Sequence, residues 1–230
     1  MRIGQSEVTL PTYPYANFLR WSVDPATGLP FAELDRLTYD ASGPQPSPKT
    51  YRALDLENEY LKLRFLPELG GRLWQVTFKP TDQTLFYNNA VVKPSKWGPL
   101  DGERNWWLAL GGMEWALPAQ EHGTQWGVAW DYQVVRGDDA ISIILRDAPA
   151  GNRLTAEMVV TLKRGEAAWT IEPRIRNGSA QSVRLQFWLN AMLTLGDQSL
   201  APATEFILPM QSALVHSTGD ARLPPSRGII

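Results

Sequence analysis

The sequence predicts an all-β protein built as a large antiparallel β-sandwich, and three observations carry that expectation. Apolar and polar residues alternate with a period of two in the clearest segments. Those segments are separated by short breaks in which glycine, aspartate, asparagine and serine recur, the residues that make turns. No segment carries an apolar stripe at helical spacing with caps at its ends.

Residues 1–50 read as an N-terminal extension with short apolar clusters, ending in the connector ASGPQPSPKT, which holds three prolines in ten residues. Residues 51–230 read as the sandwich domain. In YLKLRFL, Leu61, Leu63 and Phe65 alternate with Tyr60, Lys62 and Arg64, the pattern of a half-buried strand. PELGG breaks that strand, RLWQVTFK resumes the pattern from Arg72, and TLFY follows the turn PTDQ. In the second half GVAWDYQVV, ISIILR, LTAEMVVTLK, AAWTIEPRIR and VRLQFWLNAMLTL succeed one another across RGDDA, DAPAGN, KRGE and NGSAQS. Sequential strands joined by short turns pair antiparallel, and large sheets bury their inner faces by packing as a sandwich. Asn177-Gly178-Ser179 fits a glycosylation sequon but reads first as a turn. Asp131 and Glu172 read as solvated strand positions.

Composition narrows the function. A chain of 230 residues with 43% hydrophobic residues can build one large all-β core. A net charge of −2 argues against a nucleic-acid partner, which needs a basic face. The absence of cysteine removes disulfides and thiolate metal sites. Two histidines without spaced carboxylates make no metal shell, and no cofactor is expected. Without an apolar leader or a long apolar run, the expectation is a soluble, cytoplasmic protein that engages no membrane. Ten tryptophans stand out, because the indole suits both cores and sugar stacking.

Between the halves, residues 88–126 form an aromatic, glycine-rich insertion, NNAVVKPSKWGPLDGERNWWLALGGMEWALPAQEHGTQW. It is too polar and too broken for one strand, and its length marks a functional loop system. It contains Trp107, Glu114, Trp115, His122 and Trp126. Glu114 lies between Met113 and Trp115, so a strand would point it opposite to both. There it either accepts hydrogen bonds from a polar ligand or forms a structural ion pair with Arg72. His122 is either a loop histidine bonded to backbone or a ligand contact. His216 alternates with Leu214 and reads as solvent-facing.

LENEYLKLRFLPELGGRLWQVTFKPTDQTLFY resembles the opening of the galactose mutarotase-like families, and GGMEWALP followed by His122-Gly123 and Trp126 resembles the block that contributes to their sugar pocket. Over about residues 50–216 the chain is similar to the DUF5107 domain, with its LENEYLK-like strand, PELGGR turn and GG-x-E-hydrophobic-x-x-P motif. The resemblance implies a large antiparallel sandwich whose concave face binds carbohydrate. In mutarotases a histidine protonates the ring oxygen and a glutamate takes the anomeric hydroxyl proton. The strand that would carry that histidine, VRLQFWLNAML, has Trp188 and Asn190 on the relevant face, with Arg184 and Gln186, and the base would come from a strand beyond Ile230. The resemblance therefore implies a sandwich lacking its C-terminal strands, an exposed sheet edge open to self-association, and no assigned catalytic residue.

The leading functional expectation is a carbohydrate-binding β-sandwich, part of a larger carbohydrate-active protein. Its binding residues would be Arg72, Trp107, Glu114, Trp115, His122, Trp126, Trp188 and Asn190. The alternatives are an aldose epimerase-like enzyme using general acid/base catalysis and a structural or protein-interaction module whose tryptophans are core.

Overall fold

The structure is a computed structural model that describes residues 1–98, 102–118, 122–147 and 153–194, with positions 207, 211, 212, 214, 215, 228 and 229. Met1–Ser199 form one compact unit and Leu200–Ile230 a second. In the second unit Leu214–Val215 pairs antiparallel with Gly228–Ile229. His216 lies outside the described residues. Among them, no helix is long and apolar enough to cross a membrane.

The first unit is nearly all strand: β1 (Arg2–Thr12), β2 (Leu19–Val23), β3 (Pro30–Leu34), β4 (Ser47–Glu57), β5 (Leu61–Leu66), β6 (Arg72–Phe78), β7 (Gln83–Thr84), β8 (Asn88–Pro94), β9 (Leu108–Gly111), β10 (Met113–Ala116), β11 (Asp131–Arg136), β12 (Ala140–Arg146), β13 (Leu154–Lys163), β14 (Trp169–Asn177) and β15 (Trp188–Ala191). One sheet of nine strands runs β15-β10-β6-β5-β4-β1-β8-β9, with β7 also paired to β6. A four-stranded meander, β11-β12-β13-β14, forms the opposing sheet, and β2 and β3 make a separate ribbon.

The two sheets bury a common core, so the all-β sandwich is the observed architecture. Leu54 and Leu56 from β4, Leu63 and Phe65 from β5 and Val76 from β6 pack with Ile143 and Leu145 from β12 and Met158, Val160 and Leu162 from β13. The alternation in YLKLRFL predicts this inward face. The other face of the large sheet carries a second cluster, in which Tyr51, Ala53, Leu66, Leu108 and Leu110 pack under Tyr15, Leu34, Tyr39, Trp106 and Trp126. The N-terminal segment and the aromatic insertion thus share one task, covering that second face.

Several details depart from the sequence pattern. Residues 1–50, which the sequence presents as an extension and connector, supply β1, paired with β4 from Arg2↔Glu57 to Thr12↔Ser47. That pattern is muted because β1 is only half covered: Ile3, Val8 and Leu10 alternate with exposed neighbours. The proline-rich connector ends inside β4, where Pro11 and Pro48 face one another at the end of the ladder. Arg36–Ala41 forms one short helix, α1, capped by Asp35, whose carboxylate accepts from the Thr38 amide at 3.0 Å. Six residues are too few to show a helical stripe. The large sheet is mixed, because β8 returns to the free edge of β1 and meets it parallel at Thr12↔Val92. A long connection does not force the antiparallel geometry of a hairpin. The expected strand over VRLQFWLNAMLTL shortens to Trp188–Ala191, because its partner β10 is only four residues long.

The sheet nearly closes. β9 stands at one end of the strand order and β10 next to the other, yet only Gly112 separates them. Gly111 and Gly112 both take positive φ, +88° and +76°. A Cβ at Gly111 would lie 2.2 Å from the Tyr87 carbonyl oxygen, and one at Gly112 would lie 2.7 Å from that of Leu73. The crossing therefore requires glycine twice.

Two polar residues fasten this frame. Asn58, at the β4–β5 turn, donates to the carbonyls of Lys163 and Glu166 at 2.7 Å each and accepts from the amides of Tyr60 and Leu61 at 2.9 and 2.8 Å. One side chain thus joins the large sheet to the β13–β14 turn of the opposing sheet. Asp55 accepts from Ser6 Oγ at 2.9 Å and from Arg64 Nε and Nη2 at 2.7 and 2.8 Å, with Lys62 Nζ at 3.3 Å. Burial pushes the Asp55 carboxyl up, but the Arg64 and Ser6 hydrogen bonds and the Lys62 charge outweigh burial and hold it below the usual carboxylate range. A depressed folded value contributes stability that is complete above the unfolded pKa, about 3.9, and is lost as pH falls through the folded value. Asp55→Asn should cost about 1.5–3 kcal/mol at neutral pH. It should also flatten the loss of stability on acidification, and urea unfolding of wild type and variant at neutral and strongly acidic pH checks both effects.

Candidate functional site

β6 and β10 lie side by side on the face that the insertion covers, and each brings one charged group beneath it. Arg72 opens β6 and Glu114 is the second residue of β10. Arg72 is 1% exposed and Glu114 3%. As expected from their bracketing, Met113 and Trp115 point into the sandwich core while Glu114 points to the opposite face. Glu114 Oε2 lies 3.5 Å from Arg72 Nη2. Arg72 Nη1 donates to the Gly111 carbonyl at 2.8 Å, and Nη2 approaches that of Leu108 at 3.4 Å. Burial pulls the Arg72 pKa down, and the Glu114 charge opposes that effect. Burial likewise holds the hydroxyl of nearby Tyr15 above its usual range.

The other carboxylate oxygen of Glu114 reaches outward. Oε1 lies 3.0 Å from His122 Nδ1, and Asn190 Nδ2 lies 3.2 Å from the same nitrogen. A carboxylate can only accept, so Nδ1–H donates to Glu114; the Asn190 NH2, also a donor, is then a neighbour of Nδ1 and not its hydrogen-bond partner, and Nε2 is the ring nitrogen that can meet a ligand. Asn190 arrives from β15, directly opposite Glu114 in the register. Trp107 stacks on the imidazole, with centroids 4.0 Å apart and planes 4° apart. Trp97, 50% exposed, meets the same imidazole edge-on with centroids 6.1 Å apart. His122 is therefore a loop residue fixed from below by a carboxylate and over one face by an indole.

The structure divides the eight candidate residues into three kinds. Arg72 and Glu114 form the buried base. Trp107, His122 and Asn190, all partly exposed, form the outward cluster. Trp188 stands two residues before Asn190 on the same strand face and is 41% exposed. Trp115 and Trp126, expected as stacking platforms, are instead interior. Trp115 packs in the sandwich core and donates its indole N–H to the Gly71 carbonyl at 3.0 Å. Trp126 packs edge-on against Trp106 at 4.3 Å and donates to the Gly123 carbonyl at 3.1 Å. The indoles beside His122 are Trp107, stacked on it, and Trp97, edge-on to it. Trp97 carried no signal of its own in the sequence beyond its membership of the insertion. Asp131 is exposed, as is Glu172, which pairs with Arg174 at 2.8 Å. Among the described residues, no group of three or more His, Cys, Asp or Glu is placed to hold a metal ion.

A family model described as a domain of unknown function, DUF5107, matches residues 32–229. Among solved structures, the chain is similar to a TPR-domain containing protein from Parabacteroides distasonis, with 20% sequence identity and a TM-score of 0.56. That likeness covers 76% of this chain and 28% of the other. It speaks for a shared fold over a fraction of the longer protein.

Removing either partner of the buried pair strands a charge in the interior. Arg72→Met and Glu114→Gln should each cost about 3–5 kcal/mol. The double variant should lose much less than the sum, because it leaves no uncompensated charge. Chemical denaturation of the single and double variants measures the coupling directly, and strictly additive losses would mean that the pair does not act as a unit.

Proposed function

We propose that this chain, which belongs to the DUF5107 family, binds carbohydrate, and that the cluster of Trp107, His122 and Asn190 is its contact surface. The observation that carries the reading is the Trp107–His122 stack, 4.0 Å apart and nearly parallel, held over a buried carboxylate. Sugar recognition needs an apolar plate against a ring face and fixed polar groups for the hydroxyls, and this cluster supplies both. Glu114 and Arg72 act through His122 as positioning residues. The sandwich and the spacing of PELGGR and GGMEWALP support placing the domain in the galactose mutarotase-like superfamily.

A second reading, epimerase-like catalysis, has one observation in its favour. His122 is oriented by a carboxylate, as a general acid or base often is. Against it, Trp188 and Asn190 occupy the strand that the resemblance assigns to the acid histidine, and neither side chain exchanges a proton near neutral pH. The reading preferred is binding without turnover. NMR exchange spectroscopy on aldose anomers should show no enzyme-dependent interconversion; acceleration that disappears in His122→Ala would favour the catalytic reading.

The binding test uses a glycan array followed by titration. Trp107→Ala should weaken binding about tenfold or more, on the scale of one lost aromatic stacking contact. His122→Ala should cost less, about 0.5–1.5 kcal/mol, as expected for a neutral hydrogen bond. Both variants should keep the wild-type melting temperature within a few degrees. No saccharide binding in the wild type, with a large loss of stability in Trp107→Ala, would leave a structural or protein-interaction module as the function.

A further inference from the structure

A cleft of about 540 Å³ opens between α1 and the β8–β9 pair. Its size falls within the range of small-ligand sites. Tyr13, Tyr39 and Trp107 give it aromatic walls, and Arg36, Lys93 and Lys96 bring three cations to it. Asp40 is the one carboxylate among the described residues that line it. A smaller recess of about 280 Å³ shares Arg36, Asp40 and Lys96 and continues past Asn105, Trp106 and Glu103, whose carboxylate pairs with Arg20. The whole chain carries a net charge of −2, so three cations in one cleft stand against the background of the molecule.

The cations are arranged for a ligand rather than for one another. The Arg36 guanidinium is fixed: it donates to the Ser95 carbonyl and lies 5.7 Å from the centre of the Tyr39 ring. Its Nη1 is 3.9 Å from Asp40 Oδ1, too long for a hydrogen bond, so the one carboxylate in the cleft neutralises it only weakly. Lys93 and Lys96 are exposed, and among the described residues neither reaches a carboxylate within ion-pair distance. Three cations would repel one another in an empty cleft and gain most from an anion. A bare inorganic anion would leave the aromatic walls unused. A ring with one apolar face and one or more acidic groups uses both.

We infer that this cleft binds an acidic saccharide, one bearing carboxylate or sulfate groups, with Arg36, Lys93 and Lys96 holding the anionic groups and Trp107 lying against the sugar ring. The inference rests on the carbohydrate reading above and names the substrate class. It also gives Trp107 a second use, because the residue that stacks on His122 also lines the cleft.

The test is an array of neutral, uronate-bearing and sulfated oligosaccharides, followed by calorimetric titration of the best probe of each class. It is run on wild type, Lys93→Gln/Lys96→Gln, Arg36→Gln and Trp107→Ala, with inorganic sulfate as competitor. Thermal unfolding confirms that each variant is folded, and the two lysines are exposed, so their double variant should melt with the wild type. The expected result is tighter binding of acidic than neutral probes, weakened by salt. Binding of the acidic probe should fall about tenfold or more in the double lysine variant, as befits lost charge-assisted contacts. The uronate and sulfated arms tell which acidic group is preferred. Acidic probes that bind no better than neutral ones, or that are indifferent to the lysine and arginine changes, overturn the inference. In that case neutral binding that is lost in Trp107→Ala keeps the carbohydrate reading standing. Inorganic sulfate that binds as tightly as the acidic saccharides also overturns it. No binding of any saccharide class brings down both readings together.

Discussion

A guanidinium with 1% of its surface exposed is the constraint on which the second face of the large sheet is built. Taking Arg72 out of water is costly, and Glu114 alone does not repay it: the two charged groups are 3.5 Å apart, and neither Arg72 Nε nor Glu114 Oε2 has a hydrogen-bond partner among the described residues. The remaining compensation comes from backbone carbonyls at Leu108 and Gly111. Those belong to β9, the strand at the far end of the sheet order, so satisfying Arg72 draws β9 toward β6 and helps to curl the sheet. A buried pair of this kind is weak evidence of net stability and a strong fixer of geometry. Here it fixes where β6, β9 and β10 meet.

The glycines of the same region follow from that meeting. The chain must step from β9 to β10 within one residue, and Cβ atoms at Gly111 and Gly112 would run into the backbone at Tyr87 and Leu73. Asn58 does for the sandwich what Arg72 does for the sheet: two hydrogen bonds to its side chain hold the β4–β5 turn in shape, and two more from it couple that turn to the opposing sheet. The motifs that carry the resemblance are in this light largely structural. LENEYLK contributes Asn58, PELGGR contributes Arg72, and GGMEWALP contributes the double glycine and the carboxylate. Only that carboxylate, through His122, reaches toward the surface.

This division explains what could be read from the residues in order. The inner face of β5 follows from alternation, because a strand buried on one side must repeat every two residues. The opposed directions of Glu114 and its neighbours follow from the same rule. Arg72 as the companion of Glu114 was legible as a charge pair near two glycine turns. The roles of Trp115 and Trp126 were not, because an indole looks the same in a string whether its N–H meets a backbone carbonyl or a ligand. β1 was obscured because half of its side chains face solvent, and α1 because it is one short turn and a half. The Trp107–His122 stack depends on β9 and the loop after β10 being brought together, a long-range event that spacing does not encode.

Trp107 shows how far the buried charge reaches. The indole sits one residue before Leu108, whose carbonyl lies close to Arg72 Nη2. Its amide nitrogen is anchored on the other side by Ser95 Oγ at 3.2 Å, and its carbonyl accepts from the Ser95 amide at 2.8 Å. The ring is thus held between the end of β8, which carries Lys93, and β9, which is tied to the buried guanidinium. Glu114 meanwhile sets the imidazole on which the indole stacks. Arg72 and Glu114, too deeply buried to touch a ligand, determine the spacing of the groups that can. Groups fixed in this way lose little side-chain freedom when a partner arrives, so more of each contact appears as affinity. Under the proposed carbohydrate reading, that saving would be the physical reason to keep a charged pair in the interior where an apolar pair would pack with less cost.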